Sequence, residues 1–293
     1  MKQTAQIKPK CLITGSHGFI GQNLKEYLNP TYEILGVDRF TLADPMKLQE
    51  QVNAFQPDYI IHTAAYGNHA GQEDEYEIIA ANIVLLHFIL EATKPLNYKA
   101  FINCSTSSVY GTKAEPMKEN DLPETDTMYG ATKLAGEYIC KYFAKRWDKP
   151  IVSARLFSIY GKGEAPHRFI PRIMDSIEND RPIQLDPSPK HDWVYVDDVA
   201  ESFLTLFNNI DKVKGQAVNI CTGTQWSNEE LVGRIEWIMN KCSRVQLVPK
   251  MRSFDTVNWV GDNSKLKELG FIPQYDLMKG LRKVVNVYAK QAA

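Results

Sequence analysis

The 293-residue sequence lacks an excess of charge of either sign, because 34 lysine and arginine residues stand against 35 aspartate and glutamate residues. A protein that binds nucleic acid normally carries a basic patch, so this balance argues against such a partner. The sequence also lacks an apolar run near the ~20 residues that a membrane helix needs. Its first residues show no apolar stretch or cleavage site of the signal-peptide type. We therefore expect a cytoplasmic protein with no nucleic-acid or membrane partner.

Cysteine is scarce, and the five cysteines are scattered without a CxxC pair. An odd, scattered set is not a disulfide framework or a zinc site and is typical of reduced thiols. The sequence has no HExxH motif and no paired carboxylates at metal-binding spacing, so no metal site is expected. The apolar share of 44% is ordinary for a globular protein and excludes disorder as the main state.

The sequence does contain short apolar runs that alternate with amphipathic stretches, a pattern typical of a parallel sheet with crossover helices. Strands are predicted at 11–14, 32–37, 59–63, 101–104 and 151–156, and helices at 19–28, 44–55, 76–93 and 127–147. Beyond Gly161 proline, arginine and histidine become frequent. Residues 1–161 are therefore interpreted as a doubly wound α/β domain, and residues 162–293 as a smaller α/β substrate lobe, partly interleaved with the first.

A glycine-rich turn, GSHGFIG, joins the first predicted strand to the first predicted helix. Its three glycines permit a tight turn, a close approach of the backbone to a pyrophosphate, and close packing of helix on strand. The first N–H groups of the helix favour phosphate. An ordinary turn is the alternative, but the flanking strand and helix favour a dinucleotide site on a Rossmann-type sheet. The residues predicted to line this site are Gly15, His17, Gly18, Phe19, Ile20 and Gly21.

An acidic residue at the end of the second predicted strand bears on the choice of cofactor. A carboxylate at Asp38 can accept hydrogen bonds from both hydroxyls of an adenosine ribose and repels a 2′-phosphate, which favours NAD(H). Arg39 follows directly, and its guanidinium could bind that phosphate, so NADP(H) stays open. Asp38 could also be only a turn residue at a strand end.

A tyrosine and a lysine four residues apart, Tyr129 and Lys133, fall on one face of the helix predicted at 127–147. A neighbouring ammonium lowers the pKa of a phenol and makes it a usable general acid or base near neutral pH. The lysine could also reach a nicotinamide ribose. YxxxK alone is common in amphipathic helices. Its position after the glycine turn and after a hydroxyl cluster, STSSVYG, is what favours a catalytic role.

Four segments, TGSHGFIG, STSSVYG, YGATKLAGE and HDWVYVDDVA, resemble those of the extended short-chain dehydrogenase/reductases of the nucleotide-sugar epimerase/dehydratase group. The resemblance covers 11–271 and implies an NAD(P)-dependent enzyme that transfers hydride at a carbon of a nucleotide-diphosphate sugar. It implies that Thr106, Tyr129 and Lys133 are catalytic, with Tyr129 and Lys133 also contacting the cofactor. The segment HTAA resembles the family's strand end beside the adenosine ribose and adds Ala64 and Ala65.

For the substrate, the resemblance implies a set of contacts that this chain keeps only in part. Arg252 and Asp255 match an Arg-x-x-Asp in which the arginine meets the diphosphate and the aspartate meets the nucleoside ribose. His191 stands where the family has a second arginine, and Ser158 where it often has asparagine, so the identity of the nucleotide stays open. Ser107 is included among the expected substrate contacts.

The resemblance leaves three functions open. 4,6-Dehydratases carry Asp-Glu directly after the catalytic hydroxyl, whereas this chain has two serines there, which makes dehydration the least expected reaction. Reduction of an NDP-4-keto-6-deoxy-sugar is placed first, because the short span 38–59 and the segment VGDNSK resemble 4-ketoreductases. NAD-dependent C4-epimerisation is the alternative, and a non-catalytic dinucleotide-binding sensor is the third. In this family the helices expected at 76–93 and 127–147 often pair across a homodimer, although their apolar faces could equally lie within one chain.

Overall fold

The computed structural model describes residues 7–69, 71–249 and 258–292. The chain divides into two compact units. The first comprises Met1–Ser105, Thr127–Ala154 and Phe203–Val218, and the second comprises Thr106–Asp126, Arg155–Ser202 and Asn219–Ala293. The boundary expected near Gly161 stays a prediction, because compactness does not show which part folds on its own.

Strands and helices alternate along most of the described chain. The strands are β1 (Lys10–Thr14), β2 (Glu33–Val37), β3 (Tyr59–His62), β4 (Ala100–Thr106), β5 (Ile151–Leu156), β6 (Ser158–Tyr160), β7 (Ile183–Leu185), β8 (Lys190–Tyr195), β9 (Ala217–Ile220), β10 (Gln225–Ser227) and β11 (Val245–Leu247). The helices are α1 (Phe19–Leu28), α2 (Arg39–Leu42), α3 (Pro45–Phe55), α4 (Glu75–Ile79), α5 (Leu85–Thr93), α6 (Met128–Arg146), α7 (Phe169–Glu178), α8 (Val196–Asn208), α9 (Ile210–Val213), α10 (Asn228–Met239), α11 (Ser264–Glu268) and α12 (Leu277–Ala292).

Six strands form one sheet in the order β2-β1-β3-β4-β5-β9. The chain passes from β1 to β2 on one side and then to β3 on the other, and β1 pairs in parallel with both. Connections that leave the carboxyl ends of β1 and β3 therefore run in opposite directions along the sheet. Doubly wound folds bind their ligands at such a reversal of strand order. The glycine turn follows β1 at this point.

Several of the helices begin at a side chain that caps their first N–H groups. Asp44 accepts hydrogen bonds from the N–H groups of Met46 and Lys47 at the start of α3. The hydroxyl of Thr127 accepts one from the N–H of Gly130 at the start of α6. Such caps satisfy N–H groups that have no partner within the helix, so the start of α6 is set by local chemistry.

Both faces of the first unit's sheet are covered. On one face α3, α5 and α6 contribute to a continuous apolar cluster that includes Leu12, Ile60 and Phe101. Tyr59 precedes Ile60 and points to the opposite face, because successive strand residues alternate. There its ring contacts that of Phe207, with centroids 4.5 Å apart. Coverage on both faces explains why the strands are apolar throughout.

The helix predicted at 76–93 is one helical segment whose middle departs from α geometry. A π-helical turn, Ala80–Val84, joins α4 to α5. By length and composition alone, Glu75–Thr93 is the one helix of the described residues that could cross a membrane. Leu86, Ile89 and Leu90 lie in the apolar cluster of the first unit, so its apolar composition has an explanation within the fold. The absence of a membrane partner stays a prediction.

The second unit contains two smaller sheets. One has the order β10-β8-β6 and the other pairs β11 with β7. Asp192 on β8 is fully buried and accepts hydrogen bonds from the backbone and hydroxyl of Thr222 and from the N–H groups of Gly223 and Gly261. Burial raises the pKa of Asp192 to about 6, although these bonds oppose the shift. The aspartate of the HDW segment thus joins β8 to two other segments of this unit.

Candidate active site

The turn between β1 and α1 lies against the end of β3. Gly15 has a φ of 68°, in the region that favours glycine. A Cβ placed on Gly15 would lie 2.7 Å from the backbone nitrogen of Ala64. The hydroxyl of Thr63 donates to the carbonyl of Thr14 at 2.7 Å, and Thr14 Oγ1 lies 2.8 Å from His62 Nδ1. These contacts bring the glycine turn and the HTAA segment together and leave no room for a side chain at residue 15.

The first turn of α1 has the features of a phosphate-binding helix start. Its N-cap is Gly18, and no side chain caps the helix. The N–H of Gly18 donates to the carbonyl of Gly15 at 2.9 Å and closes the turn. A Cβ on Gly21 would overlap that same carbonyl, so the third glycine is needed for this packing. Uncapped N–H groups at the positive end of a helix dipole suit a pyrophosphate, and this cradle therefore fits a dinucleotide.

The other predicted cofactor residues lie around these segments with different exposures. His17 is exposed, and Phe19 and Ile20 are half-buried in the first turn of α1. Ala64 is half-buried and Ala65 is exposed after β3. The structure thus brings the glycine-turn residues and the HTAA segment together within the first unit, while their contacts with a cofactor stay predictions.

Asp38 is exposed at the end of β2 and has a structural role of its own. Its Oδ1 accepts a hydrogen bond of 2.7 Å from the N–H of Thr41 and caps α2. This bond is the main reason why the pKa of Asp38 is lowered from its ordinary value. Arg39 is also exposed, and its guanidinium lies over the ring of Phe40. The cap accounts for Asp38 without a ligand, so the ribose contact stays a prediction.

Tyr129 and Lys133 lie one turn apart on α6 and therefore share a face of the helix. Tyr129 is half-buried in the first turn, whereas Lys133 is only 4% exposed. Burial lowers the pKa of Lys133, and three neighbours, Cys104, Cys140 and Glu137, oppose that shift. A lysine buried in this way needs a compensating charge or a function.

Two sets of polar contacts in the first unit were not predicted from the sequence. Ser105 donates from Oγ to Oε1 of Glu137 at 2.5 Å, and both residues are buried. Asn82, in the π-helical turn, accepts a hydrogen bond from the N–H of Tyr66 and donates to the carbonyl of Tyr66 and to the hydroxyl of Thr132. The only signal for the first contact was an acidic residue four positions after Lys133.

Among the described residues, four of the predicted site residues lie in the second unit. Thr106 accepts from the N–H of Ser108 at 3.1 Å and begins a 3-10 turn. Ser107 accepts from the indole N–H of Trp259 at 3.0 Å. Ser158 and His191 come together, with Oγ and Nδ1 3.4 Å apart. The catalytic role of Thr106 and the substrate contacts of the other three stay predictions.

The expected Arg-x-x-Asp motif cannot be placed. Arg252 and Asp255 lie outside the described residues. Their assignment to the diphosphate and the nucleoside ribose therefore stays a prediction.

The sequence model of the "NAD dependent epimerase/dehydratase family" matches residues 11–221, which is well over half of the chain. The chain belongs to this family. This membership confirms the expected extended short-chain dehydrogenase/reductase and the Rossmann-type fold. It also confirms an NAD-dependent enzyme of the nucleotide-sugar epimerase/dehydratase type, with NAD as the cofactor.

Several relatives match this family member over nearly its whole length. A Bacillus subtilis protein named "Uncharacterized UDP-glucose epimerase YtcB" is 28% identical over 93% of this chain and 95% of its own. The crystal structure of UDP-glucuronic acid 4-epimerase from Bacillus cereus, in complex with UDP-glucuronic acid and NAD, is 26% identical with a TM-score of 0.85. It covers 97% of this chain and 100% of its own. The UDP-glucose 4-epimerase of Thermotoga maritima shares the fold, with a TM-score of 0.89 over 97% of this chain and 100% of its own. The two sequences are 23% identical.

Proposed function

We propose that this family member is an NAD-dependent 4-epimerase of a UDP-sugar. The observation that carries the proposal is the match in sequence and fold to the Bacillus cereus UDP-glucuronic acid 4-epimerase along nearly the whole chain. The named Bacillus subtilis relative points to the same reaction class. These relatives favour the epimerase over the 4-ketoreductase, which the short span 38–59 and the segment VGDNSK had favoured.

The geometry of α6 supports proton transfer at the sugar. When bound, NAD supplies reversible hydride acceptance at its nicotinamide ring. Tyr129, as phenolate, would take the proton of the sugar 4-hydroxyl when carbon 4 of the sugar is oxidised to the ketone. The same phenol would return the proton to the 4-oxygen when that ketone is reduced with the opposite configuration. The ammonium of Lys133, one turn away, favours the phenolate form.

The remaining residues have binding roles in the proposal. The first N–H groups of α1 bind the pyrophosphate of the cofactor, and Gly15 lets the turn lie against the end of β3. Asp38 binds the adenosine ribose and favours NAD over NADP. Thr106 hydrogen-bonds the oxygen on which Tyr129 acts.

The 4-ketoreductase is the second candidate, and one feature of the fold favours it. The segment between Asp38 and Tyr59 contains α2 and α3 and no strand, so β2 forms the edge of the sheet. A short segment here is the feature for which the sequence resembles 4-ketoreductases. The two candidates differ in how they use the cofactor, because an epimerase regenerates it in each turnover and a reductase consumes it.

The test is to incubate the purified protein, without added cofactor, with UDP-glucose or UDP-glucuronic acid and to measure the 4-epimers by proton NMR. The epimerase predicts that NAD survives purification, is released by acid, and supports interconversion with no net oxidation. The Tyr129→Phe variant is the matched control and should retain NAD without forming epimers. Consumption of NADH only on addition of a 4-keto-6-deoxy-sugar would overturn the epimerase in favour of the reductase. Binding of NAD without turnover of any sugar would favour the sensor.

A further inference from the structure

We propose that Glu137 is a positioning residue of the catalytic helix, which keeps the Lys133 ammonium charged and anchors α6 to the end of β4 through Ser105. The inference rests on the roles of Tyr129 and Lys133 in the proposed function. It concerns side chains of the first unit only.

Glu137 lies on the same helix as Lys133. It follows Lys133 by four residues on α6, so the two side chains lie on one face of the helix. The carboxyl group accepts a hydrogen bond of 2.5 Å from Ser105, and the side chains are only 9% and 3% exposed. Ser105 lies near the end of β4. The carboxylate therefore connects the helix of the tyrosine and lysine to the strand that carries the hydroxyl cluster.

Four titratable groups near Lys133 differ in whether they carry charge at physiological pH. Among the described residues, the titratable groups around its charge include His62 of β3, Cys104 of β4, and Cys140 and Glu137 of α6 itself. Burial raises the pKa of Cys104 to about 12 and also raises that of Cys140, so both thiols are neutral at physiological pH. Burial, with the charge of Lys133, lowers the pKa of His62 to about 3, so the imidazole is neutral as well. Glu137 is the only acid in this set.

An ammonium buried without a neighbouring anion loses its proton rather than keep an uncompensated charge. Burial already lowers the pKa of Lys133, and Cys104, Cys140 and Glu137 oppose that shift; Glu137 is the acid among the three. Without Glu137 the lysine would be neutral over a wider range of pH. Tyr129 would then lose the positive charge that favours its phenolate, so Glu137 acts on Tyr129 through Lys133.

Two substitutions separate the charge of Glu137 from its hydrogen bond. Glu137→Gln keeps the shape and an oxygen that accepts from Ser105 but removes the charge. Ser105→Ala removes the hydrogen bond and keeps the charge. Glu137→Asp restores the charge on a shorter side chain and serves as the conservative variant.

The experiment is a pH titration of the Tyr129 phenol by ultraviolet difference spectroscopy of the protein without substrate. The Tyr129→Phe variant provides the subtraction that isolates this phenol from the other 13 of the 14 tyrosines. Glu137→Gln should move the midpoint upward by about one pH unit or more, since neighbouring charges commonly shift a pKa by ~1–3 units. Glu137→Asp should recover most of the shift. Ser105→Ala should leave the midpoint near that of the unsubstituted protein and lower only the melting temperature.

A double-mutant cycle of Glu137 and Lys133 tests whether Glu137 shifts the Tyr129 midpoint through the charge of Lys133. In a Lys133→Met background, Glu137→Gln should no longer raise the midpoint, because the charge that it supports is gone. The inference is overturned if Glu137→Gln leaves the midpoint in place, if Ser105→Ala moves it equally, or if the shift persists without Lys133. Should Glu137→Gln alone fail to fold, the double variant and Glu137→Asp supply the comparison.

The titration also separates this inference from the proposed function. It needs neither sugar nor cofactor, so an absence of turnover with every UDP-sugar would contradict the epimerase and leave the titration result standing. If the protein is an active epimerase but Glu137→Gln changes neither the Tyr129 midpoint nor the pH–rate profile, the inference is contradicted and the proposed function is not.

Discussion

Replacement of Gly15 by alanine should weaken NAD binding and lower the melting temperature, for two separable reasons. The backbone at Gly15 has a φ of 68°, which costs an L-residue about 1–2 kcal/mol. The new Cβ would also lie 2.7 Å and 2.8 Å from the nitrogen and Cα of Ala64, and 2.9 Å from the hydroxyl of Thr63. Two of these three atoms belong to the backbone, so they cannot rotate out of the way.

The magnitude follows from these two terms. Crowding of a packed site costs about 1–3 kcal/mol, so the total loss of unfolding free energy should be about 2–5 kcal/mol. At roughly 2–4 °C for each kcal/mol, the melting temperature should fall by roughly 4–20 °C. A displaced turn no longer aligns its N–H groups with the pyrophosphate. Loss of one such charge-assisted hydrogen bond should weaken NAD binding by about 10- to 100-fold.

Gly163→Ala is the matched control. Gly163 has a similar φ of 79°, but a Cβ there would meet nothing within 4 Å. This variant should show the backbone cost alone, about 1–2 kcal/mol, and bind NAD normally. Thermal melting and calorimetric titration with NAD measure both quantities. The reasoning is refuted if Gly15→Ala melts and binds NAD as Gly163→Ala does.

Two further substitutions test the roles assigned to single side chains. Tyr129→Phe should lower turnover at least ~100-fold with nearly unchanged NAD affinity, because it removes only the proton-transfer group, and wild-type-like activity would remove Tyr129 from the mechanism. Asp38→Ala should shift the ratio of NADP to NAD affinity by about tenfold or more toward NADP, because the carboxylate no longer repels a 2′-phosphate. An unchanged ratio, measured by titration with both cofactors, would reject the ribose contact. A fall in melting temperature alone would leave Asp38 with its role as the cap of α2.

The elements that the sequence predicts best are those with local causes. Helix α1 begins and ends where its apolar period and the glycine turn indicate, at Phe19 and Leu28. Helix α6 starts after Thr127 because the threonine hydroxyl caps it. Proline at the first position and Asp44 as cap likewise define the start of α3. Such signals lie within a few residues of the helix boundary that they define, so they can be recognised in the sequence without knowledge of the tertiary structure.

The elements that the sequence does not predict depend on partners far along the chain. The π-helical turn contains Asn82, whose amide bonds Tyr66 and Thr132, 16 and 50 residues away. The contact of Ser105 with Glu137 joins residues 32 positions apart and requires the register between β4 and α6. The four-residue spacing identifies Tyr129 and Lys133 because both lie on one helix. No spacing rule identifies Ser105 as the partner of Glu137, because the two residues lie on different elements.

Lys133 and Glu137 are both buried in the first unit, and the cost of burying two ionisable side chains bears on why these residues are there. A buried ammonium and carboxylate rarely stabilise a fold more than apolar side chains of similar size, because each charge must leave water. Replacement of Lys133 by Met together with Glu137 by Gln should therefore cost little stability but should abolish turnover. Glu137→Leu alone should lower the melting temperature, because it removes the acceptor of the Ser105 hydrogen bond and a charge that favours the buried ammonium. A double variant that melts as low as this single variant would show that the pair serves the fold, and the case for Lys133 as a functional charge would lose its energetic support.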